Sequence, residues 1–295
     1  MRHCIVAVVL ILALGSRTAM AGEWEGQVDF GSSFVDNFFQ APDDQPKLQV
    51  TATSLRARLT RHIDTTSGRV KTYADILGNV YDVFDSNGRL GGGLNYSRGP
   101  HGLEGSLAYY WNRPSFDVGD EFDKADGVLV SARYSYRTAS DFQLNAAGSV
   151  LRERYESRAG NDNTLPSASG SVRYRGFGYG FSPEVGVTWS WRNTDDPNSS
   201  YSQRDLFIKV RSLLGRRVYL TGRYRYRSRD YSTENIEASN FGREDTRQQL
   251  TLSANVRTGK RLTWNVYYAL QDVDSTLERR IFDRQLLRLG LTIRF

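Results

Sequence analysis

The chain is dominated by a two-residue alternation of apolar and polar side chains. The alternation is clearest at the carboxyl terminus, where Leu287, Leu289, Leu291, Ile293 and Phe295 are separated by polar or small residues. A period of two predicts a β-strand with one apolar and one polar face. The same pattern recurs along the chain and predicts about fourteen strands, with no helix-period stretch of useful length between them. The predicted strands are Trp24–Phe34, Thr53–Arg61, Val70–Val80, Arg89–Ser97, Leu103–Asn112, Gly127–Arg137, Phe142–Arg152, Ala168–Arg175, Pro183–Arg192, Asp205–Leu213, Arg217–Arg227, Gln248–Arg257, Leu262–Gln271 and Asp283–Phe295.

The connections between these strands alternate between long and short. Long segments cover residues 35–47, 113–126, 153–166, 193–204, 228–246 and 272–284, and short ones cover 98–102, 138–141, 177–182, 214–216 and 258–261. An up-and-down barrel in an outer membrane has long external loops and tight periplasmic turns, so this alternation favours that architecture. An even strand count then puts both termini on the periplasmic side.

The last strand resembles the closing strand of bacterial outer-membrane β-barrels of the porin-like class. In that class a terminal aromatic residue preceded by alternating apolar positions forms the insertion signal, which here implies Leu289, Leu291, Ile293 and Phe295. The resemblance implies an all-β, transmembrane up-and-down antiparallel β-barrel of about 14 strands (12–16) in the bacterial outer membrane. It also implies contact with outer-membrane lipid, lipopolysaccharide and the barrel-assembly machinery. No specific family within the class is indicated.

The first residues predict export from the cytoplasm. Arg2 and His3 precede an apolar run from Ile5 to Leu14, and small residues at Ala19 and Ala21 predict signal-peptide cleavage. We therefore expect residues 1–21 to be a signal peptide and residues 22–295 to form the barrel. The single cysteine of the chain, at position 4, lies in the predicted signal peptide, so no disulfide is expected in the mature chain.

A secreted β-sandwich is the alternative, because its strands also alternate polar and apolar residues. A mean hydropathy of −0.53 suits either fold, since a barrel with a wet interior is polar at every second strand position. Aromatic residues near predicted strand ends, such as Trp111, Trp191 and Tyr226, favour a barrel because they suit the headgroup boundary.

Basic residues concentrate on the polar faces of the predicted strands. A guanidinium facing the bilayer midplane costs ~2–4 kcal/mol, so these faces are expected to turn inward. The predicted pore-lining residues are Arg56, Arg58, Arg133, Arg173, Arg175, Lys209, Arg211, Arg223, Arg225, Arg227 and Arg288. The predicted inward acids are Asp75, Glu104, Glu184 and Asp205, whereas other acids crowd the long loops.

A basic lumen predicts a channel that concentrates anionic solutes or acidic saccharides. Two alternatives remain open at this point. The arginines could instead pair with lumen carboxylates and brace the wall. The barrel as a whole could be a non-conducting structural or assembly protein, or an export partner in an envelope complex with a periplasmic protein. No nucleic-acid partner is expected.

No catalytic function, cofactor or metal site is predicted. The segment around Ser86 resembles the serine part of an outer-membrane phospholipase motif, but Phe84 stands where that motif has its histidine base. Asn87-Gly88 instead predicts a turn. The acidic stretch from Asp117 to Asp123 fits no specific calcium loop and is expected to be a solvated loop.

Overall fold

A computed structural model describes most of the chain after the predicted signal peptide. The described residues are 23–36, 49–82, 85–115, 123–157, 160, 162–177, 180–238, 240–277 and 281–295. The predicted signal peptide lies outside them, as do Phe84 and the acidic loop residues 117, 120 and 121.

The described residues form fourteen strands, with a short 3-10 turn at Pro197–Ser199 between two of them. The strands are β1 (Glu23–Val35), β2 (Val50–Thr65), β3 (Gly68–Tyr81), β4 (Asn87–Arg98), β5 (His101–Ser115), β6 (Asp123–Arg137), β7 (Phe142–Tyr155), β8 (Asn163–Tyr174), β9 (Phe181–Thr194), β10 (Tyr201–Leu214), β11 (Val218–Tyr231), β12 (Glu244–Arg257), β13 (Leu262–Ser275) and β14 (Phe282–Arg294). No described helix is long and apolar enough to cross a membrane.

The strands close into a single antiparallel barrel. Each strand pairs with the next in sequence, and β1 pairs with β14 from Gln27 opposite Arg294 to Val35 opposite Leu286. Gly26 and Phe295 exchange two backbone hydrogen bonds of 2.9 and 3.0 Å at this seam. Closure leaves no unpaired strand edge in the bilayer, where an unsatisfied backbone group is costly. The predicted up-and-down barrel of about fourteen strands is confirmed.

One face of every strand carries the apolar residues that turn toward lipid. Leu107, Val130 and Val150 lie opposite one another on β5, β6 and β7 and are 57%, 53% and 45% exposed. Residues that oppose each other in a sheet share a face. In a soluble protein such a belt would be unstable in water, but in a bilayer it meets acyl chains.

The strands extend further than the alternation predicted. The predicted β10 began at Asp205 and the predicted β11 ended at Arg227, but the strands begin at Tyr201 and end at Tyr231. Beyond the bilayer the outer face is also polar, so the apolar–polar alternation stops there. The backbone pairing between the strands nevertheless continues. The connection between β9 and β10 shrinks to residues 195–200, so the contrast between long and short connections is weaker than predicted.

The predicted Asn87-Gly88 turn is wrong. Both residues belong to β4, opposite Asn79 and Gly78. A Cβ atom at Gly88 would lie 2.0 Å from Cζ2 of Trp111, so this glycine makes room for an aromatic ring on the neighbouring strand. The connection between β3 and β4 is residues 82–86 instead.

The strand order shows which connections and termini lie at each end of the barrel. Glu23 and Phe295 lie at the same end as the short turns at residues 66–67, 99–100, 138–141, 175–180, 215–217 and 258–261. We call this the periplasmic end and the opposite one the extracellular end.

Candidate functional site: the lumen wall

The predicted pore-lining residues share the concave face of the barrel. A cavity of about 400 Å³ is lined by residues from β5 to β11, among them Arg133 and Arg211. These two side chains start four strands apart, so they meet in one cavity only on the inside of a closed barrel. The strand registers carry the other predicted pore-lining residues onto the same face, except Arg175, which follows the end of β8.

Asp75 on β3 gathers three guanidinium groups on the lumen wall. Its Oδ2 lies 2.6 Å from Nη2 of both Arg56 and Arg58, and its Oδ1 lies 2.6 Å from Nη2 of Arg89. The Asp75 side chain has no solvent exposure. A buried carboxylate is tolerated only when it is paired in this way. Arg56 and Arg58 therefore brace the wall, as one of the two alternatives expected, and Arg89 joins them without having been predicted.

Glu184 on β9 holds a second cluster. Its Oε2 lies 2.9 Å from Arg173 Nη2 on β8 and 2.9 Å from Arg211 Nη1 on β10. Ser171 donates a hydrogen bond of 3.0 Å to the other carboxylate oxygen. The Glu184 carboxylate thus links β8, β9 and β10. Its negative charge offsets part of the positive charge of two arginines that were predicted to line the pore.

Two further acids contact three more of the predicted pore-lining arginines. Asp205 Oδ1 lies 2.8 Å from Nε of Arg227 and 4.0 Å from Nε of Arg225. Glu104 Oε2 lies 3.9 Å from Nη1 of Arg133, a longer and more exposed contact. Each of the four predicted inward acids therefore faces at least one arginine, and the arginines outnumber them.

Lys209 and Arg223 differ from the clustered arginines because no described carboxylate pairs with them. Among the residues that the structure describes, no carboxylate oxygen lies within 4.0 Å of either cation. The Arg223 guanidinium lies over the Phe207 ring at 4.5 Å, and its Nε is buried without a hydrogen-bond partner. Lys209 lies directly opposite both Glu184 and Arg223 in the sheet, but Glu184 is already engaged by two arginines.

Arg175 and Arg288 complete the predicted set. Arg175 follows β8 at the periplasmic end, where its Nη1 lies 3.5 Å from Oε1 of Gln143. Arg288 is exposed on the inner face of β14, opposite Tyr267. Both add positive charge to the lumen side of the wall.

Sequence reasoning missed a cluster of arginines and tyrosines near the extracellular end of the lumen. Arg229 lies 4.1 Å over the Tyr201 ring, and Arg243 lies 4.3 Å over the Tyr231 ring. The cluster consists of Tyr155, Arg192, Tyr201, Arg229, Tyr231 and Arg243, all buried. The alternation of Arg223, Arg225 and Arg227 continues to Arg229 and was the available signal, but the predicted strand stopped one step too early.

The two ends of the barrel carry opposite charge. In the described parts of the periplasmic turns the charged residues are Asp141, Arg175, Arg216, Arg217, Lys260 and Arg261. In the described parts of the extracellular loops they are Asp36, Asp82, Asp85, Glu156, Asp162, Asp195, Asp196, Glu234, Glu237 and Arg243. The barrel is therefore basic at the periplasmic rim and acidic at the extracellular rim.

The residues of the predicted insertion signal lie on the outer face of β14 and at its end. Leu289, Ile293 and Phe295 are exposed to the lipid side, and Leu291 is half-buried. The Phe295 ring lies over Gly26, where a Cβ atom would be 2.1 Å from the ring. The described residues contain no group of three or more His, Cys, Asp or Glu side chains that could hold a metal ion.

The sequence from residue 24 to residue 260 matches the family described as surface lipoprotein assembly modifier. The chain belongs to this family. The match runs from β1 through β12 and gives a specific family where the sequence pattern indicated only the outer-membrane barrel class. No curated protein sequence matches the chain.

Solved structures of outer-membrane proteins share the fold. The outer-membrane channel DcaP of Acinetobacter baumannii superimposes with a TM-score of 0.56 at 10% identity, covering 93% of this chain and 97% of that one. A loop-deletion mutant of OmpT of Vibrio cholerae gives 0.54 at 10% identity over 94% and 100%. The anion-selective porin of Comamonas acidovorans gives 0.51 at 11% identity over 93% and 99%. At these identities the likeness shows the barrel fold alone, and with the family match it places the protein in the bacterial outer membrane.

Proposed function

We propose that this barrel assists the placement of lipoproteins on the bacterial surface as a non-catalytic assembly or export partner. The family match over residues 24–260 is the observation that carries the proposal. The geometry supports it, because a closed fourteen-strand wall with a charged inner face can enclose a polar chain inside the membrane. This is the envelope-complex alternative that the sequence left open.

Deleting the gene is expected to move lipoproteins from the cell surface to the periplasmic side of the outer membrane. Proteomics of intact cells shaved with protease measures the exposed fraction of each lipoprotein, and whole-cell proteomics measures its total amount. The expected result is a several-fold lower exposed fraction for at least one lipoprotein at unchanged total amount, restored by a plasmid copy. An unchanged exposed fraction for every lipoprotein would contradict the proposed function.

A second candidate function is an anion-preferring channel. The uncompensated charge of Lys209 and Arg223 favours it, since cations in a confined wall attract anions and repel cations. Lumen carboxylates offset only part of the positive charge contributed by the paired arginines.

In planar bilayers under a KCl gradient, the wild-type barrel is expected to pass chloride in preference to potassium. The Lys209→Gln/Arg223→Gln variant should lower the chloride-to-potassium permeability ratio by about threefold, because both uncompensated cations are lost. Arg152→Gln/Arg204→Gln is the matched control, since these exposed side chains lie on the outer face opposite Val128 and Trp189. A cation preference, or a wild-type barrel that never conducts, would eliminate the channel function.

The remaining expectations about partners are part of the proposal. Acidic extracellular loops suit divalent-cation bridges to lipopolysaccharide, and the strand pattern of β14 suits the barrel-assembly machinery. We propose no catalysis, cofactor or nucleic-acid binding for the lumen.

A further inference from the structure

Four cations line up with two other polar residues across six neighbouring strands of the inner wall. The strand registers place residues of β6 to β11 directly opposite one another in the order Arg137, Gln143, Arg173, Glu184, Lys209, Arg223. We call Arg137, Arg173, Lys209 and Arg223 the basic row. Glu184 is the acid within this sequence of opposed positions, so the row keeps a net positive charge.

The basic row rises from the periplasmic mouth into the lumen. Arg137 is the last residue of β6, whereas Arg223 is the sixth residue of β11, counted from Val218 at the periplasmic end. Strands in a closed barrel are tilted against its axis, so a line drawn across them climbs along the wall. The row is therefore a path along which a chain can move inward.

Two cavities follow this path and share residues. The mouth cavity, of about 490 Å³, is lined by Arg137, Arg173, Arg175 and Arg211 among others. The inner cavity, of about 400 Å³, is lined by Arg173, Arg211, Lys209 and Arg223 among others. Arg173 and Arg211 border both cavities, so the two cavities adjoin, and we call them together the basic cleft.

The side chains of this cleft suit carboxylates spaced along an extended chain. A guanidinium presents a planar pair of donors to a carboxylate, and the cleft also offers amide groups from Gln143 and Asn145. Cations two strands apart are separated by about 10 Å. In an extended peptide of the polyproline II type, three residues complete one turn and span about 9 Å, so side chains three positions apart lie on the same side of the chain. Acidic side chains at every third position of an extended peptide therefore match the spacing from Arg137 to Arg173 and from Arg173 to Lys209.

The charge of the two rims determines the side from which an acidic chain approaches. The periplasmic turns contribute bases such as Arg216, Arg217 and Lys260, whereas the extracellular loops are acidic. An acidic chain is attracted to the periplasmic mouth and repelled from the opposite one.

We infer that the basic row binds an acidic, extended segment of an exported polypeptide that is taken up from the periplasmic end. The inference rests on the proposed function in lipoprotein assembly, because that function makes a polypeptide the polyanion that the barrel meets. Beyond that function, the inference specifies the binding site, the chemistry of the bound segment and the direction of uptake.

Binding of fluorescein-labelled peptides to the purified full barrel in a nonionic detergent tests the inference. The probe is a twelve-residue peptide with glutamate at every third position, and its glutamine counterpart is the charge control. Fluorescence anisotropy should show binding of the glutamate peptide alone, weakening as salt is added. Lys209→Gln/Arg223→Gln should weaken binding about tenfold or more, and Arg152→Gln/Arg204→Gln on the outer face should leave it unchanged.

The direction of uptake is tested by blocking one mouth at a time. Two variants of the mature barrel are used: Thr138→Cys in a periplasmic turn and Asn198→Cys in an extracellular loop. Each variant is reacted with a polyethylene-glycol maleimide. Modification at position 138 should abolish peptide binding, and modification at position 198 should spare it. Circular dichroism and resistance to unfolding by SDS establish that every variant is folded.

Several outcomes would overturn the inference. These are equal binding of the glutamate and glutamine peptides, unchanged affinity of Lys209→Gln/Arg223→Gln, or loss of binding only on modification at position 198. Binding of an oligogalacturonate in place of the peptide would make the occupant an acidic saccharide. The gene deletion reports separately on the proposed function, so lost surface lipoproteins with no peptide binding would reject the site alone.

Discussion

Replacing Asp75 with asparagine is expected to lower the free energy of unfolding of the barrel by about 3–5 kcal/mol. The substitution keeps the shape of the side chain but removes the single negative charge that Arg56, Arg58 and Arg89 share at 2.6 Å each. Three guanidinium groups would then face one another around the side chain at position 75, which has no access to water. Urea unfolding of the barrel in detergent, followed by tryptophan fluorescence, measures the loss.

Asp64→Asn is the matched control for this prediction. Asp64 pairs with Arg69 at 2.8 Å at the periplasmic end of β2 and β3, but the two side chains are 77% and 69% exposed. An exposed pair of this kind contributes at most about 1 kcal/mol. Adding Arg89→Gln to Asp75→Asn should recover part of the stability, since it removes one of the stranded cations. Equal losses for Asp64→Asn and Asp75→Asn would mean that the Asp75 cluster does not brace the wall.

The architecture could be predicted from sequence because it depends on local alternation. Alternating apolar residues from Leu287 to Phe295 and in each earlier strand face a lipid belt, which leaves no choice of side for Arg223 or Arg225. The strand ends could not be predicted as well, because outside the bilayer both faces are polar. For this reason the predicted strand omitted Arg229, and the arginine and tyrosine cluster to which it belongs was not predicted.

The arrangement of charged side chains within the lumen could not be predicted from the sequence, because it depends on the register between strands. Arg173, Lys209 and Arg223 lie on three different strands, and only the register from β8 to β11 places them in one row. A shift of one residue in any of these pairings would turn a strand's charges toward lipid, and a shift of two would move Arg223 away from Lys209. The sequence left bracing and anion attraction as alternatives, and the geometry assigns them to different residues. Asp75 carries the bracing and Lys209 carries excess charge.

Truncating the terminal side chain with Phe295→Ala is expected to reduce the amount of folded barrel in the outer membrane several-fold while lowering its stability in detergent by only about 1–2 kcal/mol. The resemblance to outer-membrane barrels implies that the terminal aromatic residue is part of an insertion signal, so we expect its loss to act mainly before folding. In the folded barrel the Phe295 ring is 50% exposed and lies over Gly26, so little burial is lost. Quantitative immunoblots of outer-membrane fractions measure assembly, and urea unfolding of refolded protein measures stability.

Three variants separate recognition from packing at this position. Phe295→Tyr keeps the terminal aromatic ring and should assemble like the wild type. Gly26→Ala displaces the ring, since the added Cβ atom would lie 2.1 Å from it, but leaves the terminal aromatic residue available before folding. Leu252→Ala removes an apolar side chain of similar exposure, 48%, from the middle of β12 and should leave assembly unchanged. If Phe295→Ala assembled as well as Leu252→Ala, or if Gly26→Ala impaired assembly as strongly as Phe295→Ala, the aromatic residue would act through packing at the seam between β1 and β14, not as a signal read during insertion.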